Sequence, residues 1–335
     1  MNTEEIKNKI IDKLCSQYVK HIAITTHLSP DADAIGSCIA LANYLESMNK
    51  IVDIIIPSYS SNFNKLVKNA NILKKSNRSY DLTILLDCSS YERTIYQIED
   101  LSKYLIVIDH HINNYPIGNL YLCEDKASTT IILYDLMKRM KHKINSFIAF
   151  ALYIGIIGDT AYFSNNNVTP EVYNISAELL NYPIDLNLVN EIFRIRPLEI
   201  WKLITDLLSN AVLNKEYHIV YVVILKEDLE RYHLTYDIVN YIMHELKNIK
   251  EANIAFLFIE SKNDTKVKVR SRNCGDLNKI MKYFNGGGHK YAAGASIDSV
   301  NIFSVVDAVI SQTILYIDEH PEEFNFVHSN EEIDE

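Results

Sequence analysis

The chain has 335 residues, 48% of them hydrophobic and 23% charged, a globular composition with length enough for two domains. Its net charge of −10 argues against a broad basic face and so against nonspecific binding of long duplex nucleic acid. A small anionic substrate in a local positive pocket stays open, because bound metal ions can supply that charge. No apolar run reaches the roughly 18 residues of a membrane helix. The five cysteines are scattered without a CxxC pair and suggest neither a disulfide framework nor a zinc knuckle.

The N-terminal "MNTEEIKNKIIDKL" mixes acids with lysines and reads as an amphipathic helix, not a signal peptide. A soluble cytoplasmic protein without membrane contact is the expectation. Buried strands are expected at 21–26, 51–57, 81–87 and 104–109. Helical periodicity fills 33–48 and 91–101 between them. Strand–helix alternation predicts an α/β fold: a doubly wound parallel sheet with helices on both faces, its ligand site at the carboxyl ends of the strands. Further helices are expected at 128–140, 146–160 and 171–182.

The stretch 183–213 is less regular and reads as a helical linker, which makes residues 1–182 the first domain. The pattern restarts with strands at 218–225, 253–260 and 266–272. Residues 214–320 thus form a second, smaller mixed α/β domain, and 321–335 an acidic tail expected to fray.

Chemistry concentrates at the strand ends. "HLSPDADAIGS" follows the first strand with His27, Asp31 and Asp33. The third strand ends at Asp87, the fourth at Asp109, His110 and His111. A later apolar segment ends at Asp159 in "GIIGDT". Any one of these aspartates is ordinarily a turn former or helix cap; Asp33 is placed to cap a helix starting at Ala34. Together they deliver crowded carboxylates to one sheet edge, which divalent cations would relieve. So many mixed oxygen and nitrogen donors fit two ions better than one. Without clustered thiolates the ions should be Mn2+, favoured by the imidazoles, or Mg2+.

In the second domain, three of the chain's nine glycines are consecutive in "NGGGHKYAAGA". Such a run allows close backbone approach to a ligand, and as a turn it can form an anion nest. Upstream, "VRSR" offers Arg270 and Arg272, suited to phosphate and expected on one strand face.

The triplet Asp109-His110-His111, "HLSPDADAIGS", "LLDCSS" and "GDT" together resemble the DHH phosphoesterase superfamily. "RSRNCGDLNKIMKYFNGGGHKYAAGA" is similar to its DHH-associated C-terminal domain. The resemblance spans roughly residues 15–315 and is strongest to the stand-alone NrnA-like (nanoRNase/pAp phosphatase) branch. It implies one ion held by His27 and Asp31, another by Asp33 and His110, with Asp87 bridging and Asp159 completing the site. It implies His111 near the scissile phosphate, with Asp109 orienting the histidines.

For substrate binding the resemblance implies Arg270, Ser271, Gly286, Gly287, Gly288 and His289, with Arg93 a weaker match. "ASTT" (127–130) also matches a family stretch, though it suits a helix cap as well. Relatives often carry glycine where this chain has Ala161, which changes backbone freedom but no ligand. The implied substrates are short oligonucleotides cut to 5′-mononucleotides, pAp cut to AMP, or cyclic or linear dinucleotides of the c-di-AMP/pApA type. A homodimer is compatible with the resemblance. A pyrophosphatase or polyphosphatase, and a non-catalytic nucleotide sensor, are the competing readings. The first lacks the glycine-rich element, and the second has no need to keep every ligand.

Overall fold

The computed structural model describes residues 1–324 apart from 69, 96–97, 113–114, 233–235, 273 and 299–300, and only the backbone of 236–240 and 289. Residues 325–335, most of the expected acidic tail, lie outside the described residues. The chain divides into two compact units, Met1–Ile195 and Arg196–Glu335.

The first unit holds strands β1 (His21–Thr25), β2 (Ile51–Ile55), β3 (Ile72–Leu73), β4 (Leu82–Leu86), β5 (Leu105–Asp109) and β6 (Leu120–Cys123). They form one sheet in the order β3-β2-β1-β4-β5-β6, parallel throughout. Its helices are α1 (Thr3–Cys15), α2 (Ala32–Ser47), α3 (Asn64–Val67), α4 (Thr129–Met140), α5 (Ser146–Asp159), α6 (Pro170–Leu180) and α7 (Leu186–Phe193).

The strands read as unbroken apolar runs because both faces of the sheet are covered. Ile22, Ile24, Ile84, Ile106 and Ile108 face the large core under α2, α4 and α5. Their neighbours Ala23, Leu85 and Val107 face a second cluster with Ile98 and Leu101. On that second face the expected helix at 91–101 does not form. Two 3-10 turns, Tyr91–Arg93 and Ile98–Asp100, stand there instead. The reason is tertiary: Thr94 pairs with His27 in an antiparallel bridge, and its hydroxyl donates to the Thr26 carbonyl at 3.0 Å. A residue held in a strand bridge cannot continue a helix.

Strand order reverses between β1 and β4, the topological switch point where such sheets open a crevice at the carboxyl ends of their strands. α2 leaves that point pressed against α5. A Cβ on Gly36 would stand 2.5 Å from the Ala151 carbonyl oxygen, and one on Gly155 would stand 2.5 Å from Asp33 Oδ1. Glycine is therefore required at both positions, at Gly36 by the α5 backbone and at Gly155 by the side chains of Asp33 and Thr130.

The second unit contains α8 (Leu198–Ser209), β7 (Val212–Asn214), β8 (Ile219–Ile224), α9 (Lys226–Arg231), α10 (Tyr236–Lys247), β9 (Ile254–Glu260), β10 (Asp264–Ser271), α11 (Leu277–Lys282), β11 (Gly287–His289), β12 (Ala292–Asp298) and α12 (Ile302–Glu319). The sheet runs β11-β12-β10-β9-β8-β7, with β8 and β9 parallel and every other pair antiparallel. The stretch 183–213 divides between the units. Val189 and Ile192 of α7 join the first core, while Leu203, Ile204 and Leu207 of α8 join the second unit. Among the described residues no helix is long and apolar enough to cross a membrane.

Gly36→Ala should destabilise the first unit by about 1–3 kcal/mol, the usual cost of forcing extra volume into a packed contact. A lowered urea midpoint, followed by far-UV circular dichroism, is the expected result. An unchanged midpoint would show that α2 and α5 are not held at glycine distance.

Candidate metal centre

At the switch point the strand ends carry polar groups that the sheet buries. His27 follows β1, Asp87 follows β4, and Asp109 closes β5 ahead of His110 and His111. Asp109 is 0% exposed, Asp87 1% and His27 8%. Asp87 takes a left-handed φ of +55°, a conformation aspartate tolerates better than most residues, and this turns the chain sharply at the strand end.

Asp31 caps α2: its Oδ1 accepts from the amides of Asp33 and Ala34, each at 3.1 Å. Asp33 is not the cap of that helix. It crosses to α4, where its carboxylate accepts from the amides of Thr129 (2.6 Å) and Thr130 (3.0 Å) and from the Thr130 hydroxyl (2.9 Å). The Thr129 hydroxyl donates to Asp87 Oδ1 at 3.0 Å. The stretch 127–130 is thus both a helix start and the mount for two carboxylates. Its Ser-Thr-Thr composition is the only trace of this in the sequence.

Among the described residues three overlapping groups of candidate ligands meet here, each with donor atoms within 4.8 Å of one another: His27, Asp31 and Asp87; Asp33, His110 and Asp159; and Asp87, Asp109, His110 and His111. Asp87 stands between the first two. Its Oδ2 is 3.8 Å from His27 Nε2 and its Oδ1 is 3.5 Å from His110 Nε2. All six residues expected as ligands therefore meet in one place.

The imidazole of His110 tests whether a cation fits. Its Nδ1 lies 3.0 Å from the Lys126 carbonyl, which can only accept, so Nδ1 carries the proton. In the neutral ring Nε2 then presents a lone pair. Among the described residues it is buried without a hydrogen-bond partner, yet it stands 3.2 Å from Asp159 Oδ2. With the neutral ring, lone pair faces carboxylate, an arrangement a divalent ion between them would stabilise. A backbone carbonyl fixing the tautomer of a ligand histidine is the usual support for such a site.

Electrostatics agree. Burial, and then the charges of Asp33, Asp31, Asp159 and Asp109, push the Asp87 carboxyl well above the usual carboxylate range. Burial and the charges of Asp33, Asp31 and Asp109 do the same to Asp159, and burial raises Asp33. His27 is held below the ordinary histidine value by burial, with Arg93 and His111 acting in the same direction against the pull of Asp31. Neutral imidazole is the form that binds metal.

His111 differs. Burial opposes its charged form, but the Asp109 carboxylate accepts its Nδ1–H at 2.8 Å, and the balance raises its pKa. Arg93 lies close enough to this edge for its charge to act on both His27 and His111.

Behind the centre, Ala161, Tyr162 and Phe163 all take left-handed φ, at +45°, +56° and +61°. Glycine would fill the position of Ala161 with less strain. The turn is braced by Asn165 and Asn167, whose amides both donate to the Asp159 carbonyl, at 2.9 and 3.1 Å.

In the second unit the glycine run leads from a turn at 283–285 into a strand, with Gly286 between the two and Gly287 and Gly288 inside β11. Gly287, Gly288 and His289 pair with Gly294, Ala293 and Ala292. A Cβ on Gly286 or Gly288 would collide with β12, whereas one on Gly287 would meet only Asn278 Oδ1, at 3.7 Å. The backbones of His289, Ala292 and Arg270 share one rung of the sheet; the His289 side chain lies outside the described residues. Ser271 faces the opposite, buried side of β10, so its hydroxyl is not on Arg270's face. Arg272 is beyond the strand end. Its guanidinium donates to the carbonyls of Lys247 at 2.8 Å and Lys250 at 3.4 Å, and to that of Ile249. It caps the end of α10 and does not share Arg270's face as expected.

Two family models match the chain, the DHH family N-terminal domain over residues 21–156 and the DHHA1 domain over residues 214–314. An uncharacterised protein of Mycoplasma genitalium is 30% identical over 310 residues, covering 89% of this chain and 92% of its own length. The bifunctional oligoribonuclease and PAP phosphatase NrnA of Bacillus subtilis is 30% identical over 289 residues, covering 83% of this chain and 90% of that one. The chain belongs to the DHH family. DHH enzymes are metal-dependent hydrolases of phosphoester bonds, and this DHH chain carries a cluster able to bind metal. A crystal structure of an exopolyphosphatase-related protein from Bacteroides fragilis shares the fold, with a TM-score of 0.85 at 23% identity over 95% of this chain and 96% of that one.

Removing one of the crowded carboxylates should act oppositely with and without a cation. In chelator, Asp87→Asn should be more stable than the unsubstituted DHH chain by about 1–3 kcal/mol, because a buried, repelled charge is gone. With a saturating divalent ion the order should reverse, since the unsubstituted chain gains the larger binding energy. Thermal melting in both buffers reads this, and the same order in both would sink the metal assignment.

Proposed function

We propose that this chain is a manganese-dependent phosphoesterase that cuts short oligonucleotides to 5′-mononucleotides and pAp to AMP. The observation that carries the reading is the pair of ligand groups that meet at Asp87 on the switch-point edge. The similarity along most of the chain to an enzyme named for both activities supports the choice of substrate.

In this reading His27 and Asp31 would hold one ion, Asp33, His110 and Asp159 the other, with Asp87 placed to serve both. Two divalent ions so held would supply Lewis acidity to a phosphoryl group and a nucleophile at neutral pH. The donor set of carboxylates and imidazoles favours Mn2+ over Mg2+. Asp109 keeps the His111 proton on Nδ1 and fixes the ring, so that Nε2 can meet the phosphate or the leaving 3′-oxygen. Thr129 and Thr130 keep Asp87 and Asp33 from turning away. In the second unit Arg270 and His289 share a sheet rung and would take the substrate's distal phosphate or base.

A substrate panel tests the reading. Chelated protein should be inactive, and Mn2+ should restore hydrolysis of pAp and of di- to pentanucleotides. Including pApA, a cyclic dinucleotide and pyrophosphate ranks the neighbouring activities. Faster turnover of pyrophosphate than of any nucleotide would overturn the proposal.

Binding and chemistry should also separate. Charge-assisted hydrogen bonds contribute about 1.5–3 kcal/mol, or roughly ten- to a hundredfold. His289→Ala and Arg270→Ala should lower kcat/KM on dinucleotides by about that factor with metal content unchanged, and should affect bis-p-nitrophenyl phosphate much less. Gly287→Ala should do likewise, because among the described residues a Cβ there meets no more than Asn278 Oδ1, at 3.7 Å, and would project toward a ligand. Loss of metal in any of the three variants would refute the assignment of recognition to the second unit.

A further inference from the structure

One face of the second sheet carries an ordered row of charge that the metal chemistry does not use. Side chains of β10 alternate: Thr265, Val267 and Val269 are buried, and Asp264, Lys266, Lys268 and Arg270 occupy the other face. The register sets Arg270 beside Ala292, Lys268 beside Gly294, Lys266 beside Ser296 and Asp264 beside Asp298. On the β9 side the same rungs hold Ala255, Leu257 and Ile259, which are buried in the cluster that takes in α8. The sheet face is therefore covered over β9 and open over β10 and β12. The open part is a groove of about 580 Å³, lined among others by the three cations, Gly287, Gly294 and Ser296.

Spacing and sign both matter. Alternate residues of a strand are about 6.4–6.8 Å apart, of the same order as the repeat between successive phosphates of an extended single strand. In a chain of net charge −10, three cations in file reverse the local sign. Lys247 adds to the Arg270 end: burial, and the charges of Arg270 and Arg272, hold its ammonium below the usual lysine range. At the other end the sign turns back, where Asp264 and Asp298 oppose one another and Ser296 donates to Asp264. An acidic peptide is a poorer occupant, because β10 is paired on both sides and cannot accept an added strand.

We propose that Arg270, Lys268 and Lys266 hold successive phosphates of a single-stranded oligonucleotide, and that the Asp264–Asp298 pair ends the track, so that this face measures substrate length. The proposal rests on the oligonucleotide reading above and adds to it a physical limit. Each further phosphate meets a cation as far as Lys266, and the next meets two carboxylates.

The test uses the full-length protein and labelled di-, tri-, tetra-, penta- and octanucleotides. Affinity is read by fluorescence anisotropy in chelator and kcat/KM in Mn2+. Affinity in the unsubstituted chain should climb with length and then stop. In the double variant Lys266→Gln, Lys268→Gln the pentamer-to-dimer ratio should fall about tenfold, as expected for two exposed ion pairs. The salt slope of pentamer binding should drop by about 0.7 for each lysine replaced.

Asp264→Asn with Asp298→Asn should let affinity climb further, to the octanucleotide. Circular dichroism confirms folding of each variant. A pentamer-to-dimer ratio unchanged by replacement of both lysines overturns the track. A length profile unchanged in the acid variant overturns the stop. Length-dependent binding without any hydrolysis would defeat the enzymatic reading alone, and hydrolysis with lysine-insensitive length dependence would defeat the track alone.

Discussion

The first unit is organised around a repulsion. Asp31, Asp33, Asp87, Asp109 and Asp159 gather at the edge where strand order reverses, and several of them are buried. Bringing carboxylates together in a poorly solvated place is unfavourable unless cations or donors compensate. Part of the compensation is built from the chain: α4 turns its first amides onto Asp33, and α2 turns its own onto Asp31. The glycines at 36 and 155 follow from the same need, since α2 and α5 must approach closely for Asp33 to reach α4 beside Gly155. Asp87 and Asp159 keep less of this support, and they are the two that burial and neighbouring charge raise furthest.

How much of this is legible in the sequence depends on the range of the interaction. Strands β1, β2, β4 and β5 are readable because a strand covered on both faces must be apolar throughout. The candidate ligands are readable because His27, Asp87 and His110 stand just beyond strand ends, Asp31 and Asp33 at the start of the helix that follows β1, and Asp159 at the end of a long apolar helix, and a parallel sheet sends its strand ends to one edge. The segment 91–101 misleads because its helical periodicity is real while its fate is decided by a partner far along the chain, the Thr94–His27 bridge. Strand β6 escapes notice because four residues are too few to establish a period. Arg272 falls on the wrong face by one residue of strand end: β10 stops at Ser271, and beyond it alternation no longer says where a side chain goes.

The glycine run shows a different limit. Composition says that a backbone must be small there but not why. In the structure the reasons differ along three consecutive positions: Gly286 and Gly288 are small because β12 presses on them, and Gly287 has space around it. A reading that assigns the whole run to ligand contact, or to a turn, merges a packing requirement with a binding one. Only geometry separates them.

The same separation bears on the division of labour proposed for the two units. Carboxylates and imidazoles around divalent ions act on any accessible phosphoester, so the first unit's chemistry is general by nature. Discrimination must come from groups that contact the substrate away from the reacting phosphorus. In an acidic chain such groups work only where the local field is reversed, and a short row of cations with acids at its end reverses it over a limited length. Screening falls off over about 8–10 Å at ordinary ionic strength, little more than one step between alternate strand residues. Each rung of β10 would therefore act nearly independently of the distant net charge, and in the proposed reading this would let a protein of net charge −10 hold a short polyanion while giving a long one nothing to follow.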